Sequence, residues 1–201
     1  MSSNSHFQIA TESKSKGKEA MQFRTRRLLL RDFTPEDVSQ VHAFDADPEL
    51  RRYCGGGRAS EEDTQAFIQR TQRWLQANPR PIYAFALILK EQAQMLGIVG
   101  LTMKEPELGE AELWYRLSRE HWGQGYITEA ATFMLSFGFT DLHLHRIFAQ
   151  SHPDNIGSWR VMEKIGMLYE GRLRENAPAG DGTWRDSLLY AILDHEWETH
   201  Q

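Results

Sequence analysis

A mixed α/β sheet is the fold class this sequence predicts, on three observations. Apolar, turn-bounded runs of strand length recur along the chain. Stretches of helical period separate the runs that should lie parallel, and runs that should pair antiparallel follow one another on either side. The third is size: 201 residues, 40% hydrophobic and 25% charged, suffice to bury the core of one domain.

Residues 1–20, "MSSNSHFQIATESKSKGKEA", are rich in Ser and Lys and read as a flexible N-terminal arm; residues 21–201 read as one domain. "RTRRLLLRDF" reads as a strand ending at Phe33. Thr34 then caps a helix, with Pro35 at its first position and Asp37 three residues after the cap. "PELRRYCGGG" reads as a short helix broken by three glycines. Ser60 opens a longer helix to about Asn78, with Ala66, Phe67, Arg70 and Trp74 at helical spacing. After "NPRP" the period changes, and "IYAFALILK" and "MLGIVGLTMK" read as neighbouring antiparallel strands. "EAELWYRLS" alternates, with Ala111, Leu113, Tyr115 and Leu117 on one face and Glu112, Trp114 and Arg116 on the other. A glycine turn and a helix over 127–139 follow, then strand "RIFAQSH", a helix over 155–165, and strands "LYEGRLRE" and "DSLLYAIL".

Several function classes are disfavoured. No apolar run approaches the roughly 20 residues of a membrane span, and the N-terminus lacks a secretory layout, so a cytoplasmic protein is expected. Cys54 is the only cysteine, which excludes an internal disulfide and a Cys-based zinc site. The net charge of −5 argues against a nucleic-acid partner and leans toward basic substrates, although net charge says nothing about one pocket. His143 and His145 have no third ligand at metal spacing, and His152 and His195 fall at strand ends, so no metal site is expected.

"EHWGQGYITEAATFMLSFGF", residues 120–139, joins a strand, a Gly-X-Gly turn and a helix N-terminus. That combination can hold an anion on unpaired N–H groups at the positive end of a helix dipole. Ala130, Phe133, Met134 and Phe137 give the helix a docking stripe. A tight turn without a ligand is the plain alternative. The spacing is neither that of a Walker loop nor Gly-x-Gly-x-x-Gly, which disfavours a nucleotide-binding fold of another class.

"WYRLSREHWGQGYITEA", followed by "HRIFAQSHPDNIGSWRVMEKIGMLYEGRLRE", resembles the GNAT superfamily of acyl-CoA-dependent N-acyltransferases. The similarity is nearest to the branch of the ribosomal-protein N-terminal acetyltransferases and runs from "TRRLLLRDFTPED" to "LLYAILDHEW". It implies a predominantly antiparallel sheet splayed at a central parallel pair, with helices on both faces. It also implies acetyl-CoA as co-substrate, with Trp122 opening the pyrophosphate loop and the amides of Gly123, Gln124, Gly125, Tyr126, Ile127 and Thr128 cradling the diphosphate. Ile127 departs from the family's Gly or Ala there and could crowd the backbone.

The resemblance further places a bulge at the end of "ELWYRLS", with Leu117 as amide donor to the thioester. Glu112 matches a family glutamate that works as base, commonly through water; a solvent-facing or cation-paired carboxylate is the other reading. Ser158 continues a stripe with Val161, Met162 and Ile165, and a buried hydroxyl there needs a partner. It either bonds back to the Asp154 carbonyl or, as the family's Asn-x-x-Ser implies, faces the cofactor sulfur as proton donor. Asn155 caps the same helix, and the resemblance adds contact with the pantetheine arm; Lys164 and Gly166 read as structural. Tyr53, Trp114 and Asp186 are the candidate acceptor contacts, Asp186 through a "W-x-D" pattern, with core or structural roles as alternatives.

The implied activity is transfer of an acetyl group to a primary amine by direct attack in a ternary complex. The resemblance favours a protein or peptide α-amine as acceptor, with a small amine, an amino acid or an aminoglycoside as the alternatives. A non-catalytic acyl-CoA sensor is the alternative from a different class. The acceptor walls are expected from "PELRRYCGGG", the helix after it and a loop over 176–184. Exposed sheet edges in the last strands allow a homodimer.

Overall fold

The computed structural model describes residues 20–53, 59–179 and 182–199. The expected arm, Ala20 aside, lies outside these residues, as do Cys54 and the glycines after it.

Where one strand is expected at the start, the chain forms a hairpin of β1 (Gln22–Arg24) and β2 (Leu28–Arg31). Thr25 causes the turn. Its N–H donates to the Leu28 carbonyl at 2.9 Å, and its Oγ1 accepts from the Leu28 N–H at 3.2 Å. Such a local side-chain bond competes with an extended ladder. A 3₁₀ turn, Pro35–Asp37, leads into α1 (Val38–Asp45), and Asp37 Oδ2 accepts from the Thr34 N–H at 2.8 Å as expected.

After α2 (Pro48–Arg51), α3 (Glu61–Gln76) starts on a reciprocal cap between Ser60 and Asp63. Its buried stripe is Thr64, Phe67, Ile68, Thr71 and Leu75, with Arg70 exposed, so the helix is rotated from the expected face. The rotation is possible because the Thr64 and Thr71 hydroxyls donate to the Ser60 and Ile68 carbonyls and are satisfied inside.

Strands β3 (Ile82–Leu89), β4 (Gln94–Glu105) and β5 (Glu110–Leu117) form the expected antiparallel meander. Helix α4 (Tyr126–Thr140) returns the chain to β6 (Arg146–Ser151), parallel to β5. Then come α5 (Ile156–Lys164), the antiparallel pair β7 (Leu168–Pro178) and β8 (Trp184–Leu193), and α6 (Asp194–Thr199). The last pair extends into the stretch expected as a loop. Helix α6 is unannounced in the strand pattern, and it puts His195 on a helix rather than a strand end.

The eight strands run β1-β2-β3-β4-β5-β6-β8-β7, with β5–β6 the parallel pair. Alternation sorts the core onto both faces. Ala84, Ala86 and Ile88 pack with Val41, Phe44, Phe67 and Ile68 of α1 and α3, while Phe85 and Leu87 pack with Phe133, Met134 and Phe137 of α4.

The sheet opens at its parallel pair. β5 and β6 are in register only at Glu110–Arg146, Ala111–Ile147 and Glu112–Phe148. Beyond that, β5 stays bonded to β4 without interruption through Leu117, opposite Gly97. The bulge implied for this strand end is therefore absent; the β4–β5 irregularity lies at Met103/Glu105. The Ser118 N–H donates to the Leu96 carbonyl at 2.8 Å, so alternation turns the N–H groups of Tyr115 and Leu117 away from β4 and into the opening. Divergence of the strands does what the bulge was expected to do.

Candidate active site

A cavity of about 430 Å³ occupies the opening between β5 and β6. Alternation on β5 puts its walls on two faces of the sheet. Glu112, Trp114 and Arg116 stand on one face; Leu113 and Tyr115 stand on the other. Gln150, His152, Arg185 and Ser187 line the Glu112 side, with Tyr53 against His152; Ser151, Asn155 and, from α5, Ser158 and Met162 line the Tyr115 side. Of the residues expected here, Glu112, Trp114, Tyr53, Asn155 and Ser158 do meet in one cavity.

The proton-handling candidates are held as follows. Glu112 Oε2 is 2.7 Å from Lys104 Nζ, so its carboxylate lines the cavity while paired with a cation. Asn155 caps α5, its Oδ1 accepting from the Ser158 N–H at 3.2 Å. Ser158 does not depend on the Asp154 carbonyl. Its Oγ lies 3.3 Å from the Tyr115 hydroxyl, which donates to the Ser158 carbonyl at 2.9 Å. With the phenol's one proton committed to that carbonyl, the bond between the hydroxyls has Ser158 as donor. Burial pushes the Tyr115 phenol well above its ordinary value, so it holds its proton throughout the neutral range.

Trp114 donates from Nε1 to Thr102 Oγ1 at 2.9 Å, and a Cβ on Gly100 would meet its ring at 2.5 Å. Gly100 is the space the indole occupies. Asp186 is not on the cavity wall. Arg185 and Ser187 face the cavity, and period two turns the residue between them to the other face. There Asp186 accepts from the Glu175 N–H at 2.8 Å and from Arg172 Nε at 2.6 Å, and these bonds hold its carboxyl below the usual range.

The glycine turn has the geometry of an anion cradle. Gly123 and Gly125 adopt φ of 74° and 78°, and Gly125 is the N-cap of α4. The Glu129 N–H donates to the Gly125 carbonyl at 3.1 Å, so the N–H groups of Tyr126, Ile127 and Thr128 lie ahead of the helical ladder. Ile127 is buried in the core, so its branch does not crowd the loop. Trp122 Nε1 donates to the Leu117 carbonyl at 2.7 Å, tying the turn to the end of β5. These features fit a diphosphate on the loop and a pantetheine arm along the free edge of β5.

Strand spacing gave no sign of the anchor beneath this turn. Glu129 accepts from Thr25 Oγ1 at 2.6 Å, and from the N–H and Nε of Arg27, each at 2.7 Å. Arg27 Nη1 also donates to the Gln124 carbonyl at 2.9 Å, and the guanidinium lies 4.3 Å from the centre of the Tyr126 ring. Desolvation alone would raise the Glu129 carboxyl, but the bonds from Thr25 and Arg27 outweigh it and hold it below its ordinary value. A folded value below the unfolded one stabilises the fold above the unfolded value. That contribution is lost as pH falls through the folded value. Glu129→Gln should therefore flatten the acid limb of a stability-versus-pH curve measured by denaturant melts, while leaving Asp186 and Asp194 to titrate as before.

His143 and His145 lie between α4 and β6, and His145 Nδ1 is 3.3 Å from Asp194 Oδ2. Among the described residues no group of three His, Cys, Asp or Glu side chains is placed to hold a metal ion. No helix among the described residues is long and apolar enough to cross a membrane.

Residues 27–168 match the family model of the acetyltransferase (GNAT) domain. An uncharacterised N-acetyltransferase of Bacillus subtilis, YnaD, is 34% identical over 88% of this chain and 99% of its own length. The crystal structure of a GNAT-family acetyltransferase from Bacillus anthracis superposes with a TM-score of 0.77 at 32% identity, covering 87% of this chain and 99% of that one. A ribosomal L7/L12 α-N-protein acetyltransferase in complex with coenzyme A shares the fold, with a TM-score of 0.75 at 19% identity over 85% of this chain and 96% of its own. This chain belongs to the GNAT family and is an N-acetyltransferase.

Proposed function

We propose that this N-acetyltransferase takes its acetyl group from acetyl-CoA and transfers it to the α-amine of an acceptor by direct attack in a ternary complex. The observation that carries this reading is the cavity that passes through the sheet, with Glu112 on one face of β5 and Ser158 behind the other.

Acetyl-CoA supplies an acyl group already activated as a thioester. Glu112, directly or through one water, receives the proton of the attacking amine, and Lys104 holds its carboxylate in place. The Leu117 N–H, turned into the opening, faces the oxygen on which negative charge develops. The nitrogen–carbon bond forms, the carbon–sulfur bond breaks, and Ser158 Oγ gives a proton to the departing thiolate. Tyr115 stands behind Ser158 as a protonated phenol whose oxygen positions the Ser158 hydroxyl, and water replaces the proton given to the thiolate. The turn from Trp122 to Thr128 holds the phosphates, and Asn155 contacts the pantetheine arm. Tyr53 and Trp114 flank the acceptor; Asp186, bonded to Arg172, braces β7 against β8 instead. The exposed Leu168 and Tyr169 on edge strand β7 support a homodimer across that edge.

The test is a free-thiol assay with acetyl-CoA and a panel of amines. Glu112→Gln and Ser158→Ala should each lower kcat by about 10²- to 10⁴-fold. Wild-type kcat in both variants across the neutral range would remove Glu112 and Ser158 from the mechanism.

A further inference from the structure

The acceptor side of the cavity has an uneven charge balance. Glu112 is paired with Lys104 at 2.7 Å, and Arg116 Nη1 with Asp45 Oδ2 at 2.7 Å. Asp45 is nearly buried; desolvation pushes its carboxyl up, and Arg116 pulls it back. These four groups cancel in pairs. Arg185 does not cancel. It is half-buried on the same wall, and its Nη1 donates to the Tyr53 carbonyl. Among the described residues no carboxylate pairs with it. A guanidinium has five N–H donors in a planar fork, so one backbone carbonyl leaves most of that fork available.

A partly desolvated guanidinium with spare donors selects for a carboxylate, which it can bind through two parallel bonds. It selects against a polycation, whose second ammonium group would meet Arg185 with only Glu112 to oppose it. His152 stacks near the Tyr53 ring, 5.4 Å between ring centres, and accepts the Asp154 N–H on Nδ1 at 3.1 Å. In the neutral ring that leaves Nε2 as a donor, so His152 adds no negative charge to this wall. A cavity of about 430 Å³ is of small-molecule size.

We propose that the acceptor is a small amine that also carries a carboxylate, in the manner of an amino acid, and that Arg185 binds that carboxylate while Glu112 receives the proton of the amine. This rests on the acetyl-transfer reading and names the acceptor class within it.

The experiment measures CoA thiol release with free amino acids, the same amino acids as carboxamides, and spermidine, for the wild type and for Arg185→Gln and Arg185→Lys. The wild type should prefer an amino acid over its carboxamide by about tenfold or more in kcat/KM, since the carboxamide forfeits the charge-assisted pair. Arg185→Gln should erase that preference by raising the KM for the amino acid about tenfold more than the KM for the carboxamide, while leaving the KM for acetyl-CoA unchanged. Arg185→Lys should keep part of it. Equal use of acid and carboxamide, spermidine as the better acceptor, or an equal loss on both acceptors in Arg185→Gln would each overturn the carboxylate assignment while leaving acetyl transfer standing. Silence with every amine in the panel would overturn both.

Discussion

Arg80→Leu should cost about 3–5 kcal/mol of stability, the scale for removing one partner of a buried ion pair. Arg80 Nη2 sits 2.5 Å from Asp32 Oδ1, with side-chain exposures of 5% and 4%. The guanidinium also donates to the Ile82 carbonyl at 2.9 Å and lies 4.9 Å from the centre of the Tyr83 ring. Asp32 would be left with the Met21 N–H as its remaining donor, at 2.7 Å. A lone buried carboxylate is poorly served by one amide, and with Arg80 it ties the residue before β1 to the segment before β3. Denaturant melts of Arg80→Leu and of Arg80→Leu with Asp32→Asn check this. The double variant should recover part of the loss, because the uncompensated charge goes with it.

Gly97→Ala should damage both stability and turnover. A Cβ there would lie 2.2 Å from the Arg116 carbonyl oxygen and 2.9 Å from Leu117 Cα. Both are backbone atoms of β5 in unbroken register with β4, so no side chain can yield. The strands must part where the Leu117 N–H is aimed. Overpacking of this kind costs about 1–3 kcal/mol and sometimes more, and kcat should fall even at temperatures where the variant is folded. Gly171→Ala, on edge strand β7 and off the cavity wall, is the control. A Cβ there meets nothing within 4 Å, and its φ is not left-handed. Melting curves and kcat for the two variants separate the effects.

What could be read from the chain and what could not divides along sequence distance. Thr34, Ser60 and Asn155 announce helix starts because a cap is made by residues two or three positions apart, and all three starts are found. The order of strands was legible for the same reason, since turn residues and periodicity are local. The hairpin at Thr25 was missed because its side-chain bond interrupts a run whose composition is uniformly strand-like. Asn155, Ser158 and Glu112 were visible through motif spacing, and they do share a cavity.

Arg185 and His152 were not visible, because their environment is assembled from α2, β6 and β8, far apart in the chain. Asp186 shows the same limit: its neighbourhood in sequence was right, but which parity of β8 faces the cavity is decided by packing. The partnership of Arg27 with Glu129 spans 102 positions and has no local signature. Net charge is too coarse to resolve one wall: the acidic excess leans toward basic substrates, while Arg185 has no carboxylate partner among the described residues.

The three residue pairs that join β5 to β6 have a mechanical consequence. They make the sheet two stiff plates sharing a short hinge line. One plate carries Glu112, Trp114 and Arg116, and the other carries Arg185 and Ser187. The spacing between Glu112 and Arg185 is therefore set by the opening angle of the plates, not by any one side chain. A molecule that bonds to the free lip of β5 acts as a wedge and fixes that angle. Whatever fills the crevice between the plates thus acts as the calliper that fixes the distance from Glu112 to Arg185.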